Sequence, residues 1–196
     1  MTETVDTIIE ARWIVPVDPP GVLEHHALVV GQGRIVAMPT IAESRRRYSP
    51  KRRIVLDRHV MIPGLVNLHT HAAMTLMRGL ADDRALMIWL KEHIWPVEMR
   101  EASPAFVHDG TLLACAEMLR GGVTLFNDMY FFPGAAAQAA IAAGMRVALG
   151  LIVVDFPSPY AADARDYLTK GIEVRDQLRD QPLVSFCFAP HAPYSV

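Results

Sequence analysis

The run Ile62-Pro63-Gly64-Leu65-Val66-Asn67-Leu68-His69-Thr70-His71 is mostly apolar and ends in two histidines spaced i and i+2. Its apolar part reads as a strand buried in a sheet. In a strand, residues i and i+2 project from the same side, so His69 and His71 are predicted to converge on one metal ion. The carboxyl end of a parallel strand is also where α/β enzymes place their chemistry.

Beyond this segment the chain alternates helix and strand. A helix is predicted at about Leu86 to His93. Ser103-Pro104 reads as an N-cap and first helical residue, opening a long helix that Gly121-Gly122 ends. Strands are expected at Val123–Phe126, Arg146–Val154 and Leu183–Phe188, with helices at Ala135–Ala143 and Ala162–Asp180 between them. Apolar strands that do not alternate in polarity indicate a parallel sheet buried on both faces. Four such units from residue 61 onward amount to half of a (β/α)8 barrel, which typically needs about 250 residues. Ser195 reads as the N-cap of a further helix.

Residues 1–60 have a different texture, with short strands, a hairpin through a Gly31-Gln32-Gly33 turn, and a short helix near Ile41–Arg47. The basic run Arg45-Arg46-Arg47, Lys51-Arg52-Arg53 reads as a solvated helix end and loop. With 19 Lys+Arg against 21 Asp+Glu the net charge is −2, so nucleic acid is not an expected partner. A hydrophobic share of 52% argues against disorder. No apolar run approaches the ~20 residues that span a bilayer, and the first residues lack a basic signal-like region, so a cytoplasmic location without membrane contact is expected. Cys115 and Cys187 read as two reduced, buried thiols.

The segment IPGLVNLHTHAAMTLMRGLADD resembles the amidohydrolase superfamily, and within it the aminohydrolases that include 5′-methylthioadenosine/S-adenosylhomocysteine deaminases. Ile94-Trp95-Pro96-Val97-Glu98, Gly122-Val123-Thr124 through Tyr130, and Ala189-Pro190-His191-Ala192-Pro193-Tyr194 resemble further motifs of that branch. The resemblance implies residues 1–60 as the N-terminal part of a small β-sandwich domain and residues 61–196 as the first four βα units of the barrel. It implies one divalent metal, zinc or else iron, held in part by His69 and His71. Glu98 matches the residue that binds the ribose hydroxyls, and His191 the one that contacts the purine. The implied reaction is hydrolytic deamination, in which metal-activated water attacks the amine-bearing ring carbon and ammonia leaves.

The remaining ligands and proton-transfer groups of such enzymes come from strands five to eight, so no complete catalytic set is expected within residues 1–196, and these residues alone are expected to be inactive. The fourth strand carries no Lys for a binuclear site. An Arg near the end of the third strand, expected where S-adenosylhomocysteine is favoured, is replaced by Gly150-Leu151-Ile152, with Arg165 read in the loop that follows. Methylthioadenosine or adenosine is therefore favoured. A triazine or guanine hydrolase of the same branch, or a non-catalytic metal-binding fragment, are the competing readings. Asp128 reads as structural support near the metal, and Trp89, Trp95 and Met77 as a pocket wall. His25, His26, His59, His93 and His108 read as structural or surface residues. A homo-oligomer is the expected state of the full-length protein.

Overall fold

The computed structural model describes residues 2–196. The chain divides into two compact units, Met1–Pro63 and Gly64–Val196. In the first, strands β1 (Glu3–Ile14), β2 (Leu23–Gly31) and β3 (Arg34–Ala37) precede helix α1 (Ile41–Arg47) and strand β4 (Tyr48–Met61). They form one sheet in the order β3-β2-β1-β4. The β2–β3 turn has two residues, not three: Gln32 and Gly33 both take positive φ (51° and 72°), which suits a tight hairpin. Ile8, Ala27 and Val29 form the fully buried centre of the sheet's packed face.

The basic run is part of this framework. Thr40 and Glu43 form a reciprocal capping box that starts α1. Arg45, at its end, binds the carboxylate of Glu10 through two bonds of 3.0 and 2.7 Å, and Arg53 of β4 binds the same group. Glu10 is only 2% exposed, and the Arg45 and Arg53 hydrogen bonds hold its carboxyl below the ordinary carboxylate range. Lys51, Arg52 and Arg53 thus lie in a strand, β4, rather than in the expected loop.

The second unit opens with strand β5 (Leu65–Thr70) and a 3-10 turn over Ala72–Met77. Helix α2 (Leu86–Ile88) continues through a π-helical segment (Trp89–Ile94) into α3 (Trp95–Glu101), well past the predicted His93. Helix α4 (Pro104–Arg120), strand β6 (Val123–Met129), helix α5 (Pro133–Ala143), strand β7 (Arg146–Val153), helix α6 (Ala164–Gln177) and strand β8 (Val184–Pro190) follow. Ser103 caps α4 by accepting from the Phe106 amide, and Asp163 caps α6 by accepting from Asp166, which moves that helix's start two residues past the expected Ala162.

The four strands are parallel and lie in sequence order, β5-β6-β7-β8. The fold is therefore the expected α/β class, with consecutive βα units of the barrel kind. Burial on both faces holds for β7, whose residues Val147, Leu149, Leu151, Ile152 and Val153 are all buried. It fails for β5 and β8, each with one neighbour, where Leu68 and Phe188 are 76% and 64% exposed. Cys187 shares that fate on β8 and is exposed, contrary to expectation, while Cys115 in α4 is buried.

Packing of α4 onto the turn after β5 depends on Gly110. A Cβ there would sit 2.4 Å from the Ala73 carbonyl oxygen, which is backbone and cannot swing aside. Gly110→Ala is expected to destabilise the protein by about 1–3 kcal/mol, as overpacking does. Urea denaturation reads this directly, and an unchanged midpoint would contradict the close approach.

Candidate functional site

The carboxyl end of β5 is irregular in a way that shapes the site. Asn67 faces Phe126 of β6 and Thr70 faces Asp128, so three steps along β5 meet two along β6. The extra residue is a bulge at Leu68–His69, a device that re-aims side chains at strand ends. The strand closes at Thr70, and His71 stands just beyond it, leading into the 3-10 turn. The two imidazoles still come together, with ring centres 5.1 Å apart and planes at 81°.

Strand β6 holds this end in place. The His71 Nδ1–H donates to the Met129 carbonyl at 2.7 Å, because a carbonyl can only accept. That fixes the tautomer and leaves Nε2 with its lone pair free. Asp128 is 1% exposed, and its Oδ1 accepts from the Ala72 amide at 2.7 Å and from the Thr70 hydroxyl at 2.9 Å. Burial raises the Asp128 pKa, while those two donors and His71 oppose the rise. Nearby Cys115 is pushed up to about 11 by burial and by the Asp128 charge, so it remains a thiol.

A cavity of about 300 Å³ opens beside this end of the sheet. His71, Glu98 and His191 all line it, and His69 lies exposed next to His71. Its walls are chiefly apolar, with Trp89, Trp95, Met74, Met99, Ile152 and Phe156, and Trp95 and Phe156 have ring centres 5.9 Å apart. Met77, expected in this wall, does not line it. Met74 does, from an earlier position in the same turn. No Lys or Arg lines the cavity among the described residues, and Arg165 lies exposed on α6.

Glu98 comes from α3, and its Oε1 accepts from the Tyr130 hydroxyl at 2.8 Å. Burial raises its pKa, and the Tyr130 bond counters in part. Its second oxygen has no protein partner among the described hydrogen bonds. His191 follows β8, and its Nδ1 lies 2.7 Å from the Ser195 hydroxyl, whose proton goes to the Ala192 carbonyl at 3.1 Å. Nδ1 is then the donor, and Nε2 the free acceptor. Burial and the neighbouring His71 lower the His191 pKa and favour the neutral ring. Within the described residues Ser195 is the partner of His191 in a turn. Its i+4 spacing from His191 was the available sequence signal, and for Tyr130 it was membership of the motif over residues 122–130, which ends just past β6.

The histidine pair fits a metal ion on two counts. Zinc–nitrogen distances of about 2.0–2.1 Å at a tetrahedral angle place two imidazole centres about 5 Å apart, matching the 5.1 Å seen. Anchoring of one ring nitrogen by a carbonyl is also the usual support for a metal-binding histidine. No cluster of three or more His, Cys, Asp or Glu side chains suited to a metal occurs among the described residues, so this chain offers the pair. No helix among those residues is long and apolar enough to cross a membrane.

Comparison with known proteins agrees with the fold. A 5-methylthioadenosine/S-adenosylhomocysteine deaminase of Saccharophagus degradans is 47% identical over 97% of this chain and 43% of its own length. The crystal structure of an adenosine deaminase from Xanthomonas campestris with bound zinc is 48% identical, with a TM-score of 0.97 over 100% of this chain and 45% of that one. An atrazine chlorohydrolase from Arthrobacter aurescens shares the fold at 20% identity, with a TM-score of 0.80 over 93% of this chain and 46% of its own. The chain therefore spans less than half the length of these relatives. The model of the amidohydrolase family matches residues 60–196, and with the relatives above it establishes that this chain belongs to the amidohydrolase family.

Proposed function

We propose that these residues supply part of the active site of a metal-dependent deaminase acting on an adenine nucleoside, 5′-methylthioadenosine or adenosine. The observation that carries the reading is the cavity shared by His71, Glu98 and His191, with His69 at its edge. His69 and His71 hold one divalent ion, zinc in the first instance, and the rest of the full-length protein completes its shell. When bound, such an ion supplies a water-derived nucleophile at neutral pH. Water adds its oxygen to the amine-bearing carbon, the carbon–nitrogen bond breaks, and ammonia leaves, giving the oxo-purine. Support for zinc comes from the Xanthomonas campestris structure, which contains it.

The other groups bind and orient. Tyr130 holds one Glu98 oxygen, so the other can accept from both hydroxyls of a ribose diol. The neutral His191 presents Nε2 as an acceptor to the ring edge or its amine. Trp89, Trp95 and Phe156 offer flat apolar surface, and the lack of a cationic lining residue favours a neutral 5′-substituent over a charged amino-acid chain. A free ring such as guanine or a triazine would leave the half-buried Glu98 carboxylate unused.

Three outcomes test this in the full-length protein. His69→Ala and His71→Ala are expected each to strip most of the bound metal, read by elemental analysis, and unchanged content in the double variant would remove the metal assignment. Glu98→Gln is expected to cost nucleosides about 1.5–3 kcal/mol in kcat/KM, the scale of a hydrogen bond to a charged group. Free bases should lose little, and equal losses would place Glu98 outside a ribose site.

Glu98 also makes a prediction about stability. Its folded pKa lies above the ordinary 4.5, so folding disfavours its ionised form. Stability from this group is full below that ordinary value and is lost as pH rises through the folded value. Ligand-free Glu98→Gln should therefore melt higher than the parent at pH 7. The gap should close as pH falls below about 4.5, as calorimetry across pH would show.

A further inference from the structure

We propose that Asp128 is the positioning residue that sets the His69–His71 pair for its metal, acting through hydrogen bonds to the two residues that flank His71. The inference rests on the metal reading of that pair. Asp128 touches neither ring in any described hydrogen bond. Its Oδ1 takes the Ala72 amide on one side of His71 at 2.7 Å and, on the other, shares the Thr70 hydroxyl proton at 2.9 Å with the Asn127 carbonyl at 2.8 Å. The next residue along β6, Met129, takes the His71 ring proton. Together these bonds hold the Ala72 backbone after His71, the Thr70 side chain before it and the rotation of its ring.

The place where these bonds fall makes them matter. The β5–β6 ladder is interrupted between Asn67 and Thr70, so the regular backbone ladder does not define the His69–His71 segment. The chain also turns at His71 into a 3-10 segment, whose first amides lack partners in the turn itself. Asp128 supplies one such partner and restores register at Thr70, its ladder mate. Ala72 and Ala73, both buried under α4, keep water from replacing it. A 1%-exposed carboxylate is a costly way to fill that space unless its acceptor oxygen is needed.

The test uses the full-length protein, with divalent-ion affinity read by chelator competition and Ala72 amide exchange read without metal. Asp128→Ala removes the acceptor and is expected to weaken zinc by about 10–100-fold, the usual effect of losing such support. Exchange at the Ala72 amide should quicken in parallel. Asp128→Asn keeps an oxygen at the same place and should hold both readouts within a few-fold of the parent. Thr70→Val removes only one donor and should weaken zinc several-fold, which serves if Asp128→Ala does not fold. Parent-like zinc affinity in Asp128→Ala or Thr70→Val overturns the proposal, and so does an Asp128→Asn as impaired as the alanine variant. A parent protein that binds no divalent ion overturns the metal reading itself, with Ala72 exchange still reporting whether Asp128 orders the turn.

Discussion

The site hangs on the seam between the ends of β5 and β6. Along most of a parallel sheet, backbone ladders hold neighbouring strands in register. Here the ladder breaks one residue before the first histidine, and side chains take over. Asp128 grips the backbone and Met129 the imidazole. One residue further on, the Tyr130 hydroxyl reaches across to Glu98. The last two residues of β6 and the one that follows therefore align groups that arrive from β5, from the turn after it and from α3. A small shift of β6 would move the histidine and the carboxylate together, which keeps their mutual geometry constant.

The cavity separates polar from apolar duties. Three of its polar groups have one side tied to protein and one left open: His71 through Met129, Glu98 through Tyr130, His191 through Ser195. Fixing one side defines tautomer and rotamer, so the open side carries a single kind of chemistry. Most of the apolar wall comes from the helical segment before α4 and the loop after β7, with Met74 and Ile152 added from the turn after β5 and from β7. Of the three polar groups only Glu98 belongs to an element of that wall, since it shares α3 with Trp95 and Met99.

Much of this was legible in the sequence. Apolar runs marked β6, β7 and β8, and Ser103-Pro104 marked the start of α4, because strand burial and helix capping are local effects. The paired histidines, Glu98 and His191 could be named as a group through motif resemblance, and they fall around or beside one cavity. What escaped was long-range or lacked a local signature. Strand β4 hid behind its charges, since Arg53 faces a Glu10 that lies 43 residues away. The exposure of Cys187 depends on what lies beside β8, not on the apolar residues around it in sequence. The bulge before His69 and the π-helical segment left no residue pattern to read, because both are choices of register that packing settles.

That π-helical segment, Trp89–Ile94, forms much of the cavity's apolar wall, with Trp89, Leu90 and Ile94 all facing in. A π-turn carries one residue more than the α-turn it replaces, and its backbone bonds are less favourable. Reverting it to α-helix, or moving it by a residue, would rotate these side chains by a large fraction of a turn while leaving β5, β6 and β8 untouched. The shape of such a wall can be rewritten by insertion or deletion of a single residue. The histidine pair and its supports would come through that change intact. The molecule therefore has a joint: the histidine pair is held at the end of the sheet, and part of the cavity's apolar wall sits on the segment most easily rewound.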